Sequence, residues 1–283
     1  MAACPPTTSL APRAPSAVSS RPRRRRGVWP GLALVISCSP LFAAGDTGAR
    51  APALAPAAVD HRPYTAVLRA HVRQGRVDYP ALRSDRQALD AYLAVLGTVP
   101  KAAFDDWDRE HQLAFLLNLY NAATLQLIID HPGVRGIREI GGAEGPWRLA
   151  RVSLFGKLRT LDFLEHELIR PVYAEPRVHF ALVCAAQSCP HLRPEAYEGP
   201  RLAAQLEDDT RAFVRRTTTY DKEGRFLTVS ALFEWFAADF AGQGGVVPFL
   251  VRYLEPAFGA ALVPEGVTLR SASYDWGLNG ASP

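Results

Sequence analysis

DDWDREHQLAFLLNLYNAATLQLIID, residues Asp105 to Asp130, is the stretch on which the fold turns. Leu113, Leu116, Leu117, Tyr120, Leu125, Ile128 and Ile129 cover most of a helical circumference instead of one stripe, the pattern of a central helix buried on every side. Asn118 and Asn121 fall on it at i, i+3 and so share a face. A buried amide without hydrogen bonds costs about 1–3 kcal/mol, so the pair either ties down neighbouring loops or orients a catalytic group. His131-Pro132-Gly133 stops the helix, at an end where a cation suits the helix dipole.

Upstream, Tyr64, Val67, Leu68 and Val72 predict a helix ending at Gly75, and Val77 to Leu82 a short turn or strand. Leu89, Tyr92, Leu93 and Leu96 predict a second helix closed by Gly97 and Pro100. Downstream, RLARVSLF and KLRTL flank Gly156 as a hairpin. Leu161 to Arg170 reads as a short helix capped by Asp162 and ended by Pro171, carrying Glu165, His166 and Glu167. Val178 to Cys184, nearly continuous in apolar residues, reads as a buried strand. A helix over Leu202 to Val214 follows, then a strand over Phe226 to Ser230. Ser230 is placed to cap a helix containing Phe233, Trp235 and Phe236, and Val246 to Tyr253 is the last helix. The aromatic residues of FEWFAADF are expected in the core. Tyr274 and Trp276 are expected to pack back over the domain, with Asp275 the charged tail residue within reach of a site. Helices outnumber strands and no strict βαβ rhythm appears, so the expectation is a single helix-rich α+β domain with a small sheet over residues 61–280. The chain has no internal repeat, phosphate-loop glycine pattern or dinucleotide fingerprint, and no cofactor is expected.

The first 44 residues read as an export signal: a basic block from Arg21 to Arg26, the apolar VWPGLALVIS from Val28, then small residues. Residues 45–60 are a small-residue linker. The apolar run is too short for a retained membrane span, so the expected location is secreted or periplasmic. VISC before Ser39 also has the form of a lipidation signal, which would anchor Cys38. Six of the chain's 32 basic residues lie in that leader; without them 26 basic face 28 acidic residues. A near-neutral body lacks the broad cationic field that a phosphate backbone requires, so nucleic acid is not an expected partner.

The chemistry-bearing stretch is Arg177 to Pro194, RVHFALVCAAQSCPHLRP, with two cysteines, two histidines and a serine. One reading is a Cys184–Cys189 disulfide, favoured by an oxidising compartment and an even cysteine pair. A second is a thiol nucleophile: Cys184, or Cys189 as the alternate, with His179 or His166 as base and Glu165, Asn118 or Asn121 orienting it. The third is a zinc site, His179, Cys184, Cys189 and His191 giving H-x4-C-x4-C-x-H.

AFLLNLYNAATLQLI, LDFLEHELIRP, HFALVCAAQSCPHLRPEAY and the closing YDWGLN, with RVDYPALR before them, resemble the domain-of-unknown-function 547 (DUF547) family, its core falling at about residues 104–215. Leu116-Leu117 stands where an aromatic–aliphatic pair such as Trp-Ile is more usual, a packing change away from the polar positions. The resemblance implies a helix-rich α+β domain and no settled activity. Histidine before cysteine in the chain would look like a permuted papain- or transglutaminase-like thiol hydrolase, an analogy at the level of fold. The functional expectation is a thiol-dependent hydrolase or transferase acting on an amide or ester in a small-molecule or peptide-like substrate. The competing class is a non-enzymatic envelope or interaction module rigidified by a Cys184–Cys189 bridge.

Overall fold

A computed structural model describes residues 58–221, 223, 225–254 and 267–281. The expected export signal, most of the linker and Cys38 lie outside the described residues. The described fold is a helix-rich α+β domain built around the expected helix, α5 (Arg109–Ile129), which Asp108 caps by accepting the His111 N–H. It is long and apolar enough to cross a bilayer, but 89% of its apolar window is buried inside the protein. It is therefore a core helix.

Around α5 stand α1 (Arg62–His71), the tiny hairpin β1 (Val72–Arg73) and β2 (Arg76–Val77), α2 (Tyr79–Ser84), α3 (Gln87–Gly97) and α4 (Lys101–Asp105). Gly75 is not a helix end as the sequence suggested. It turns the hairpin with a positive φ of 77°, and a Cβ there would lie 2.3 Å from the His191 ring. The expected second hairpin forms as β3 (Val152–Leu154) against β4 (Lys157–Arg159), turning through Phe155 and Gly156, both at positive φ as a two-residue type I′ loop requires.

Two further local expectations fail for physical reasons. Leu161 to Arg170 is helical, but Thr160, not Asp162, accepts the Phe163 N–H as its cap. Its course runs through α6 (Leu161–Phe163), a π-helical turn (Leu164–Ile169) and α7 (Arg170–Tyr173). Pro171 does not end it: the Arg170 N–H reaches back five residues to Glu165, widening the helix where proline brings no donor of its own. The second failure is Val178 to Cys184, a 3-10 turn (Pro176–Phe180) followed by irregular chain rather than a strand. A short run of buried apolar residues satisfies helix and strand alike, and among the described residues no neighbouring strand pairs with it.

α8 (Leu202–Thr217) precedes a three-stranded sheet in which β5 (Thr219–Asp221) pairs antiparallel with β6 (Phe226–Val229), and β6 pairs parallel with β7 (Thr268–Ser271). The N-cap of α9 (Leu232–Trp235) is Ala231, not Ser230 as expected; Ser230 stands one residue earlier, its hydroxyl accepting the Leu232 N–H at 3.3 Å. A 3-10 segment (Ala237–Gln243) and α10 (Val246–Val251) follow. Two apolar clusters result. The larger surrounds α5, and the second is mainly aromatic, with Phe180, Phe213, Phe233, Phe240 and Phe249 in contact through their rings and Phe236 buried in the same cluster. The tail after β7 runs along the seam, and Tyr274 packs against both clusters.

Candidate functional site

A narrow cavity opens along that seam. Its walls are Tyr120, Trp147, Trp235, Phe236, Tyr274 and Trp276, with Leu182, Pro190 and Leu232 between them. Glu165, His179, Cys184 and Cys189 also line it. Residues spread from 120 to 276 thus meet around one space, the usual form of a ligand site: mostly apolar, with a few convergent polar groups.

The floor is fixed from α5. Asn121 donates from Nδ2 to the Ala181 carbonyl and accepts the Val183 N–H at Oδ1, both at 2.9 Å. Asn118 makes the same two-point clamp on Tyr197, again at 2.9 Å for each bond. Both amides are therefore engaged at both ends by backbone, and neither lines the cavity. Of the two roles open to the pair, they perform the tying of loops.

Past Val183 the chain reaches Cys184 and turns through Ala185, at a positive φ of 59° that a residue with a Cβ adopts at some cost. Tail contacts hold that turn: Asn279 N–H to the Ala185 carbonyl at 2.9 Å, Gln187 N–H to Gly277 at 2.7 Å and Ser188 N–H to Asp275 at 3.2 Å. Asn279 is in turn fixed by the Tyr79 hydroxyl, 2.6 Å from its Oδ1. Cys184 and Cys189 are joined as a disulfide, with Cα atoms 6.1 Å apart. In this form neither sulfur is a nucleophile, and neither is the thiolate a zinc site needs. Among the described residues no three His, Cys, Asp or Glu side chains converge as metal ligands. The expected H-x4-C-x4-C-x-H site is thus not formed.

His179 lies in the 3-10 turn rather than a strand, with its side chain 2% exposed and stacked on Phe236 at 4.0 Å between centroids. Its Nε2 is 2.7 Å from Asp239 Oδ2. Arg170 grips the same carboxylate with Nε at 2.7 Å and Nη2 at 3.0 Å. Burial works to raise the Asp239 carboxyl, but the bonds and positive charge of His179 and Arg170 outweigh it and hold it well below the usual carboxylate range. An ionised Asp239 keeps the ring proton on Nε2 and leaves Nδ1 as the basic position. Glu165, on the π turn, is buried and accepts the Tyr120 hydroxyl at 3.1 Å. His166 is directed elsewhere: its Nδ1 accepts from Arg170 at 2.7 Å, its Nε2 lies 3.7 Å from Asp162, and it does not line the cavity.

Asp239 went unseen in the sequence because FEWFAADF reads as core, and Phe236 and Phe240 are indeed buried. The one available signal was an acid between two buried aromatic positions. Asp275 turns its carboxylate back onto the Gly277 N–H instead of reaching the site. Its neighbours do the packing expected of them, Tyr274 against Trp235 at 4.8 Å and Trp276 edge-on to Trp147 at 5.9 Å.

Gly136 controls how closely this tail approaches. A Cβ on it would stand 2.5 Å from the Trp276 carbonyl oxygen, which is backbone and has no room to yield. Gly136→Ala is therefore expected to lower stability by about 1–3 kcal/mol, as overpacking generally does, and to alter the fluorescence of the cavity tryptophans. Unchanged emission and an unchanged melting temperature would show that the tail is not seated there.

No curated protein and no solved structure matches the chain. Residues 104–214, which supply Tyr120, Trp147, Glu165, His179 and both cysteines of the cavity, match the family model described as "Protein of unknown function, DUF547".

Proposed function

We propose that this chain is an exported thiol-dependent hydrolase or transferase for an amide or ester, active once the Cys184–Cys189 bridge is reduced. One observation carries the reading: both sulfurs line the same aromatic-walled cavity as His179, whose ring is oriented by the ionised Asp239. That is the logic of an activated thiol, in which a base adjoins the nucleophile and a third group holds the base. Here the third group is Asp239, in place of the asparagines on α5. In the reaction His179 takes the cysteine proton and the resulting thiolate adds to the substrate carbonyl carbon. The C–N or C–O bond then breaks, and the leaving group takes a proton from His179. Water, or an acceptor alcohol or amine, gives its proton to His179 as it releases the acyl group from sulfur. Glu165 and Tyr120 form a second polar pair on the cavity wall for the substrate to meet. A disulfide is the expected resting form in an oxidising compartment, which agrees with export.

The test uses the full chain with and without dithiothreitol. Reduced protein is expected to release nitrophenol from a nitrophenyl ester through a cysteine-bound acyl intermediate visible by intact mass. His179→Ala should slow this by about 100-fold, the low end for loss of a general base. No acyl-enzyme from the reduced protein, or equal rates in His179→Ala, would sink the catalytic reading. The bridge itself favours a second reading, a non-enzymatic binding module using the same aromatic cavity. That module would act equally well oxidised and would gain no reactivity on reduction.

A further inference from the structure

The two cysteines are not equivalent. Cys189 Sγ receives the Cys184 backbone N–H at 3.1 Å and the Tyr274 hydroxyl at 3.2 Å. Cys184 Sγ shares only the Tyr274 hydroxyl, at 3.3 Å. Arg216 of α8 adds positive charge on the Cys189 side, its Nη2 donating to the Cys189 carbonyl at 3.1 Å. A disulfide sulfur is a weak acceptor, whereas a thiolate is a strong one, so donors converging on a sulfur gain most when it is charged. We propose that Cys189 is the reactive thiolate of this site, and that Tyr274, brought from the C-terminal tail, is a positioning residue that holds it in its charged form. This rests on the thiol reading above and assigns the nucleophile to the cysteine that spacing alone made the alternate.

Exposure gives the complementary role to Cys184. It is partly exposed, whereas Cys189 is 2% exposed, so an incoming thiolate meets Cys184 first. Attack on Cys184 Sγ forms a mixed disulfide, breaks the S–S bond and leaves the electron pair on Cys189 Sγ, where the two donors receive it. The second thiol of a dithiol then displaces Cys184, closing as its own cyclic disulfide. Two electrons have passed from the dithiol to the bridge, and Cys184 picks up a proton from solvent. Titratable and charged groups around Cys189 also include Glu165 and His179 on the cavity wall, His191 two residues further along beside Arg216 and Arg76, and Arg76 itself, whose guanidinium is bonded to Gln187 in the same turn. Glu165 opposes a second negative charge, while Arg76 and Arg216 favour it. The hydroxyl of Tyr274 is the contribution that one substitution removes without losing the ring from the wall.

The experiment measures alkylation of the dithiothreitol-reduced full chain by iodoacetamide from about pH 5 to about pH 9, resolving the two cysteines by peptide mass. Cys189 is expected to titrate well below the ordinary thiol value of about 8.5, and Cys184 near it. Tyr274→Phe should raise the Cys189 midpoint by about one unit, cutting its rate at neutral pH about tenfold, and leave Cys184 unchanged. An acidic thiol at Cys184 instead of Cys189 would overturn the assignment, and an unmoved Cys189 midpoint in Tyr274→Phe would remove the tyrosine from it. Two ordinary thiols in the wild-type protein would remove the thiol reading itself. The wild-type comparison needs no variant to fold.

Discussion

Asn121→Leu is expected to destabilise the protein by about 4 kcal/mol, read as a fall in the urea midpoint with an unchanged slope. The change is close in volume, so the effect is one of polarity. It removes two hydrogen bonds, leaving the Val183 N–H without its partner inside the core and the Ala181 carbonyl with only a long 3.5 Å bond from the Tyr197 hydroxyl. Each buried, unsatisfied backbone group costs about 1–3 kcal/mol, whereas a hydrogen bond lost with both its partners is nearly neutral. The site would suffer with the fold, because Ala181 to Val183 carries Leu182 on the cavity wall and leads directly into Cys184. Asn121→Asp provides the companion measurement: it keeps an acceptor for Val183 but sets a carboxylate oxygen against the Ala181 carbonyl. A loss under about 1 kcal/mol in the leucine variant would mean the clamp is idle and the segment is held from elsewhere.

The second large effect is acid sensitivity from His61. This side chain is buried beside Tyr92, with Nδ1 2.7 Å from the tyrosine hydroxyl. Burial, assisted by the nearby His111 and opposed by Asp60, pushes its pKa down to about 4. The unfolded chain binds the proton from about pH 6.5, so it takes up protons before the folded protein does. Stability from this group is therefore complete above about pH 6.5, is lost progressively as pH falls, and levels off below about 4. At about 1.4 kcal/mol per pH unit the full loss is about 3 kcal/mol. His61→Asn keeps an acceptor near the position of Nδ1 and cannot titrate. Urea unfolding at neutral pH and near pH 4 should show a clear fall in the wild type and a much flatter response in the variant. Parallel pH dependence in the two would exclude His61 as the cause.

The domain's central helix, the Phe155-Gly156 hairpin, the Ser230 bond at the start of α9 and the family core were legible because each is a local pattern. Periodicity, a capping side chain or a two-residue turn lies within a few positions along the chain. The meeting of both cysteines with His179 was also foreseeable, since cysteine and histidine are scarce in the chain and cluster between 179 and 191. Tertiary structure alone decided the rest. Asp239 finds His179 across 60 residues and Tyr274 reaches Cys189 across 85, and nothing in sequence spacing encodes an approach over such distances. The Val178 to Cys184 run could not declare itself either: apolar burial specifies only that a segment is inside, while a strand needs a neighbour with open backbone groups to pair with. Here α5 supplies the Asn121 side-chain amide for that backbone in place of a strand, so the segment stays irregular and carries its cysteine to the cavity.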